Sequence, residues 1–504
     1  MTGNLAAALE RRVRLFGWQD RPLFHTDDTT YTHGAVQEAV VRAAGVLHGA
    51  GVRKGHRVLI ALPDCVELVA ALLGTLRLGA LAVLVGPEQS AAEHAFVLGD
   101  AEPRAVVCPG PLIERFRGVQ VLTADDLADE PAEPPPPVAV PPGAPAYVQY
   151  TSGTTGPPKG TVHRHSDPRA YVEALALGAL GVTAEDVLFS VSKACYPYGL
   201  ANTVFFPMFC GASAVLWPGR PVRGAGAGTG PDADAWVRDV CAQAARHKPT
   251  VLFAVPGFYR RLVTTGDPAA FSALRAATSA SEMLLPALAD RVESFLGCPL
   301  LDGLGTTEAG HTFISNTVVR RARGSLGLVL DPFEISVRTG DGREAAVGEQ
   351  GLLYVRGPSV LIEYLGRPGQ TAEVLDPAGW LRTGDLVHLD HEGFVYFHGR
   401  SCDLRIVDGA AVPPVEVERA LGEHPAVGEV AVVGEDLPDG GAVLRAFVVC
   451  DDAFSVTELL DFARARLRPE AVPATVTVIE ALPRSRAGKL QRSALLRAST
   501  RDLG

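Results

Sequence analysis

The sequence predicts an α/β protein. Its large N-terminal domain combines two parallel-type sheet subdomains with a small β-barrel-like subdomain, and a small α+β C-terminal domain follows. Three observations lead there. The chain has 504 residues, more than one hydrophobic core serves, so several units are expected. Strand-like and helix-like segments alternate through most of it, as parallel strands joined by crossover helices do. Past residue 326 the helices thin out, and past Gly399-Arg400 a compact mixed unit begins.

The elements follow in order. Residues 1–18 carry Glu10, Arg11, Arg12 and Arg14 and read as a surface helix, not a signal peptide. Residues 57–61 read as strand, 66–78 as helix, 81–85 as strand, 91–98 as helix and 105–108 as strand. The stretch 66–86 imitates a membrane span, but Glu67, Arg77 and punctuating glycines favour a buried helix and strand. Residues 130–146 form a Pro/Ala-rich connector, extended and semi-rigid, that delivers the chain to a strand at 146–150. The alternation resumes with strands at 186–190, 213–216 and 251–255 and a helix at 232–247. Segments 274–279, 286–296 and 299–304 continue it. Short strands fill 326–397, as in a small barrel-like unit. The last unit reads as strand 403–407, helix 413–422, strands 427–433 and 443–449, helix 456–467 and strand 475–479. We therefore divide the chain into domains at 1–399 and 400–504.

Composition narrows the function classes. Hydrophobic residues make up 47% and charged residues 20%, an ordinary globular balance. A net charge of -11 argues against non-specific binding to nucleic acid or an anionic membrane. The eight cysteines include no CxxC pair, so neither a zinc knuckle nor a redox couple is indicated. They read as reduced thiols of a cytoplasmic protein.

One segment carries clear chemistry. Thr151-Ser152-Gly153-Thr154-Thr155-Gly156-Pro157-Pro158-Lys159-Gly160 follows directly on an apolar strand. Glycines permit inward-turned backbone N–H groups, the hydroxyls of Ser152, Thr154 and Thr155 suit phosphate or metal, and Lys159 supplies charge. The spacing is not that of a Walker loop.

This loop resembles the signature of the adenylate-forming superfamily: acyl- and aryl-CoA synthetases, peptide-synthetase adenylation domains and luciferases. The resemblance runs over almost the whole chain and is closest in flavour to benzoate-CoA ligase. Its other carriers are Tyr196-Pro197-Tyr198-Gly199-Leu200-Ala201-Asn202, Asp302-Gly303-Leu304-Gly305-Thr306-Thr307-Glu308 and His311-Thr312-Phe313-Ile314-Ser315-Asn316. The resemblance implies ATP, Mg²⁺ and CoA as reactants, with acyl-AMP as intermediate. It implies that Thr151, Ser152, Gly153, Thr154, Thr155, Gly156 and Lys159 hold phosphate. Thr155 and Glu308 would hold the metal, with Thr306 beside them and Thr307 at the α-phosphate. Ser281, Glu282, Asp302 and Gly303 would frame adenine, Asp385 the ribose, and Arg400 both ribose and phosphate. Lys489, in a mobile C-terminal lid, would bridge carboxylate and α-phosphate. Lys193, Cys195, Pro197, Tyr198, Gly199, Leu304 and His311 would line the acid pocket, narrowed by Pro197 for a flat aryl acid.

The chain departs from the pattern at the hinge. The family pattern reads Gly-Arg-x-Asp-Asp and then a lysine; here Cys402 stands at the hinge acid and Ile406 at the lysine, with Arg405 beside it. Ser281 also stands where benzoate activators have glycine. The expected function is ATP-dependent formation of an aryl-AMP and transfer to CoA. The altered hinge keeps alternatives open: a carrier-protein thiol, an amine, or nitrite-dependent diazotisation. A non-catalytic nucleotide-binding relative is the other class, and Thr155, Glu308, Asp385 and Lys489 argue against it. A homodimer is compatible with the chain.

Overall fold

A computed structural model describes residues 3–129, 134–151, 157–219, 231–408, 410–437, 442–450, 455–484, 490–492 and 494–495. Ser152, Gly153, Thr154, Thr155, Gly156 and Lys489 lie outside the described residues, as does Gly409 in the hinge hairpin.

Two large sheets make the N-terminal part. The seven-stranded sheet runs in parallel from Pro145–Thr151 through Leu81–Leu84, Arg57–Ile60 and Ala105–Val107 to Gln120–Leu122. Its strands are short runs of Val, Leu, Ile and Ala, buried on both faces because helices cover both. Lys159–Arg164 then adds antiparallel to Pro145–Thr151, with Thr151 opposite Lys159. The phosphate-type loop therefore connects two paired strands.

The nine-stranded sheet has Val251–Ala254, Ala276–Ser279 and Leu300–Gly305 in parallel at its centre. Thr312–Ser315 turns back antiparallel to Leu300–Gly305. That return places Thr306, Thr307 and Glu308 in the turn leaving one strand, and His311 at the start of the next. The helix Val66–Arg77 is buried along nearly its whole length in the core beneath both sheets, so the span-like stretch is core helix and strand. Leu5–Phe16 is a helix capped by Asn4, with Leu5, Leu9 and Val13 buried.

The barrel-like unit is a four-stranded antiparallel sheet of Glu334–Arg338, Gly351–Arg356, Leu381–Leu389 and Val395–Arg400. A hairpin of Arg405–Val407 and Ala410–Val412 follows. A three-stranded sheet of Val427–Asp436, Ala442–Cys450 and Thr475–Val478 comes next, flanked by the helices Pro414–Leu421 and Val456–Arg464. The described part of the Pro-rich connector, from residue 134 on, is strapped down: Val138 N–H donates to Arg77 O, and Asn4 donates to Val138 O.

Candidate active site

Two strand ends and one sheet edge meet at the site. Asp385 lies directly opposite Arg400 in the antiparallel ladder. It is fully buried, with Arg400 Nε 2.9 Å from its Oδ1. Arg400 also donates to the Thr383 carbonyl at 2.8 Å. Asp385 raises the Arg400 pKa, against burial, and Glu308 adds to that field. One guanidinium thus feels both the expected ribose acid and the expected metal ligand.

The Thr306-Thr307-Glu308 turn is held from several sides. Thr306 Oγ1 accepts from Ala309 N–H at 3.0 Å. Glu308 O accepts from Leu361 N–H at 2.7 Å, and Glu308 Oε1 accepts from the Tyr364 hydroxyl at 2.8 Å. Lys159 Nζ lies 4.8 Å from the centre of the same Tyr364 ring. Tyr364 therefore ties the end of the phosphate-type loop to Glu308. Among the described residues no group of three or more His, Cys, Asp or Glu could cage a metal. A single carboxylate is the donor set that Mg²⁺ uses when phosphates and water complete its shell, so Glu308 fits that ion.

His311 occupies an aromatic box. Its ring stacks on Tyr198 at 5.3 Å between centroids, meets Phe206 edge-on at 5.2 Å, and lies 5.6 Å from Tyr171. Its ring nitrogens have no well-formed hydrogen bond, only a weak approach to the Tyr198 backbone. Burial lowers its pKa to about 3. The Tyr198 hydroxyl bonds to Thr278 Oγ1. Asn202 lies between Tyr198 and Phe206 on one helical segment, fully buried, its amide without a partner among the described residues.

Other expected site residues have different surroundings. Lys193 is buried, its ammonium 2.8 Å from the Trp217 carbonyl and 3.8 Å from Asp64. Burial lowers the Lys193 pKa and raises that of Asp64, each pulled back by the other. That ammonium is committed to partners within the protein. Gly199 packs its backbone on the 192–193 peptide, where a Cβ would lie 2.1 Å from Lys193 O. Its requirement is close approach. Cys195 is buried, and burial pushes its thiol far up, so no thiolate is available there. Pro197 opens the short helix Pro197–Leu200 that carries Tyr198. Leu304 is partly buried against the main core.

In the adenine segment, Ser281 has φ +77°, the left-handed region where glycine is the easy residue. Glu282 is bound by Arg484 of the C-terminal unit. Burial raises the Asp302 carboxyl pKa, with the Ser279 hydroxyl and Gly303 N–H acting against it. Gly303 and Gly305 let the returning strand approach; a Cβ on Gly305 would lie 2.6 Å from His311 O. At the hinge, Cys402 and Ile406 are exposed, and Arg405 turns to the Cys402 and Leu404 carbonyls.

Sequence reasoning missed Tyr171, Phe206, Tyr364 and His163. None belongs to a recognisable motif, and each reaches the site only through tertiary packing.

Comparison with known proteins agrees with this geometry. The "AMP-binding enzyme" family model matches residues 9–365, and the "AMP-binding enzyme C-terminal domain" model matches 416–489. The chain is 40% identical to a p-hydroxybenzoic acid–AMP ligase of Mycobacterium marinum, over 98% of this chain and 69% of that protein. It is 31% identical to a 4-hydroxybenzoate–CoA/benzoate–CoA ligase of Rhodopseudomonas palustris, over 93% and 89%. Its structure matches a benzoate CoA ligase from Burkholderia xenovorans LB400 with TM-score 0.88 and 31% identity, covering 98% and 99%. The fold, the paired Asp385 and Arg400, and a family match across most of the chain together place it in the AMP-binding, adenylate-forming enzyme family.

Proposed function

We propose that the protein activates a hydroxylated aryl acid with ATP as its acyl-AMP and then passes the acyl group to CoA. The observation that carries the substrate class is the aromatic box around His311, three residues beyond Glu308 in the chain. A flat ring suits walls of Tyr171, Tyr198 and Phe206. The Asn202 amide, without a partner among the described residues, and the His311 ring, without a well-formed hydrogen bond there, suit a ring hydroxyl, which would satisfy them. The names of the relatives, hydroxybenzoate and benzoate ligases, point the same way.

The acid is ionised at pH 7 and needs no general base. Its oxygen attacks the α-phosphorus, and pyrophosphate leaves with the bonding electrons. The obstacle is repulsion between anions, so the site must present cations to the charge that develops. Arg400 and Lys159 are the described cations suited to this, with Lys489 expected from the sequence. Mg²⁺ on Glu308 and Thr155 would screen the phosphates. Asp385 would accept from the ribose hydroxyls while fixing Arg400. In the second half a thiol adds to the acyl carbonyl, loses its proton and displaces AMP.

Residues 400–504 serve in this reading as the lid. The exposed Ile406 at the usual lysine position favours a second reading, in which another acceptor replaces CoA. Eight free cysteines fit a reducing, cytoplasmic setting. A homodimer remains the oligomeric expectation, checked by sedimentation. The deciding experiment measures acid-dependent pyrophosphate exchange, and AMP release with and without CoA, over a panel of benzoates. Hydroxybenzoates should exchange fastest and CoA should stimulate turnover. Exchange with no aryl acid would sink the proposal, and CoA-independent turnover with an amine would move it to the second reading.

A further inference from the structure

Beneath the Glu308 turn lies a buried pair that the adenylation chemistry does not use directly. His163, on the strand Lys159–Arg164, and Asp167, at the start of the helix Asp167–Tyr171, are both fully buried. His163 Nε2 is 2.8 Å from the Thr307 carbonyl, and His163 Nδ1 is 3.2 Å from Asp167 Oδ2. A carbonyl only accepts, so Nε2 carries a hydrogen and donates it. The other nitrogen faces a carboxylate that already accepts from Arg164 N–H at 2.9 Å.

The ring is locked in place. His163 is the cross-strand partner of Tyr147, whose ring stacks on it at 5.1 Å and 21°. On the Thr307 side, Gly310 faces it closely enough that a Cβ would sit 3.5 Å from the imidazole. The Thr307 carbonyl is held by His163 at 2.8 Å and by Gly310 N–H at 3.1 Å within the turn, and the Glu308 carbonyl by Leu361 N–H at 2.7 Å, so His163 is the contact that ties Thr307 to a different element. Between these contacts sits the Glu308 side chain.

We propose that His163, held by Asp167, is the positioning residue of the Thr306-Thr307-Glu308 turn: it fixes the Thr307 carbonyl and so aims Glu308 at the metal-bound triphosphate. The proposal rests on the adenylation reading above. Residues that orient a metal ligand from behind typically change metal affinity or activity by ~10–100-fold when removed. The bond to Thr307 is made by the enzyme alone, so its loss should appear in the MgATP parameters and not in those of the acid.

The test compares His163→Met, which keeps volume but has no donor, with His163→Gln, which can still donate to Thr307. In pyrophosphate exchange, His163→Met should lose ~10–100-fold in kcat/KM for MgATP, with the acid KM within about twofold. His163→Gln should recover at least about half of that loss on a logarithmic scale. Independently of turnover, calorimetry of ATP binding with Mg²⁺ or with EDTA should show Mg²⁺ enhancement in the wild type, strongly reduced in His163→Met. Should His163→Met fail to fold, Asp167→Asn is read by the same two measurements, with the same selective loss expected. Equal losses for MgATP and acid, no rescue by Gln, or undiminished Mg²⁺ enhancement would overturn the positioning role. A wild type that binds MgATP but adenylates no aryl acid would instead defeat the adenylation reading, and the calorimetric comparison would still judge His163.

Discussion

At His311, burial drives the imidazole pKa down to about 3, so the ring is neutral in the folded protein near pH 7. The unfolded chain takes up a proton there near pH 6.5. Between those values acidification favours the unfolded state, and stability falls as pH falls. His33 and His165, held down to about 4 by burial, act in the same sense. Each contributes a slope of up to ~1.4 kcal/mol per pH unit within its window. Urea denaturation at several pH values below 6.5 should therefore show declining stability, with a shallower slope in His311→Phe. An unchanged slope in that variant would show that His311 does not stay neutral. Asp385 makes a second prediction at this scale. Its carboxylate is buried against Arg400, and removing it leaves the guanidinium without its principal anion. Asp385→Ala should raise the KM for ATP by ~10-fold or more while leaving the acid KM nearly unchanged. Pyrophosphate exchange with each substrate varied in turn checks this.

Elements explain which parts of the site were legible in the sequence. Strands at residues 57–61, 81–85 and 251–255 are short apolar runs bounded by turns, and each recurs in the structure as Arg57–Ile60, Leu81–Leu84 and Val251–Ala254. The acid box is different. Tyr198 and Phe206 are eight apart, which on an α-helix sets them ~80° apart around the axis. The segment Ala201–Phe205 is a π-helix, whose wider turns reduce that offset and bring both rings to one imidazole. No periodicity in the sequence announces that. The sequence places Lys193 among the acid-pocket residues but cannot show its partner, Asp64, which lies 129 residues earlier and is joined to it only by folding. His163 and Asp167 are four apart across a strand-to-helix junction, outside any helical pattern. The glycines were legible as motif letters but not as contacts. Gly199→Ala would drive a Cβ into Lys193 O, and backbone cannot yield as a side chain does. The start of Pro197–Leu200 must shift, at a cost of ~2–4 kcal/mol. Chemical denaturation measures that cost, and a change below about 1 kcal/mol would show that the segment relaxes freely.

Across the whole molecule, the two domains are joined by more than the hinge. Arg484, just before the expected catalytic lysine, is almost fully buried between Glu282 of the N-terminal domain and Glu429 of the C-terminal sheet, 3.0 Å from the latter. Glu429 also meets Arg260 of the N-terminal helix Pro256–Thr265 at 2.8 Å. Burial alone would lower the Arg484 pKa, but Glu282 and Glu429 more than reverse it. The four charges alternate in sign, and the links from Arg484 to Glu282 and from Arg260 to Glu429 cross the domain boundary. A swing of the C-terminal domain about residues 400–405 must break both crossing links. Breaking a buried pair by deleting one partner leaves the other charge uncompensated, so the network favours the arrangement seen here. Glu282→Gln removes one crossing link without disturbing Arg260 and Glu429. It should slow acid-dependent pyrophosphate exchange by ~5–30-fold, because the closed arrangement loses ~1–2 kcal/mol relative to the swung one. If transfer to CoA follows a swing of the C-terminal domain, transfer from supplied aryl-AMP should be unchanged or faster. Single-turnover measurement of each half reads the two effects separately. A variant slowed equally in both halves would mean that Glu282 acts on nucleotide binding, as its place in the adenine segment first suggested, and not on the balance between domain arrangements.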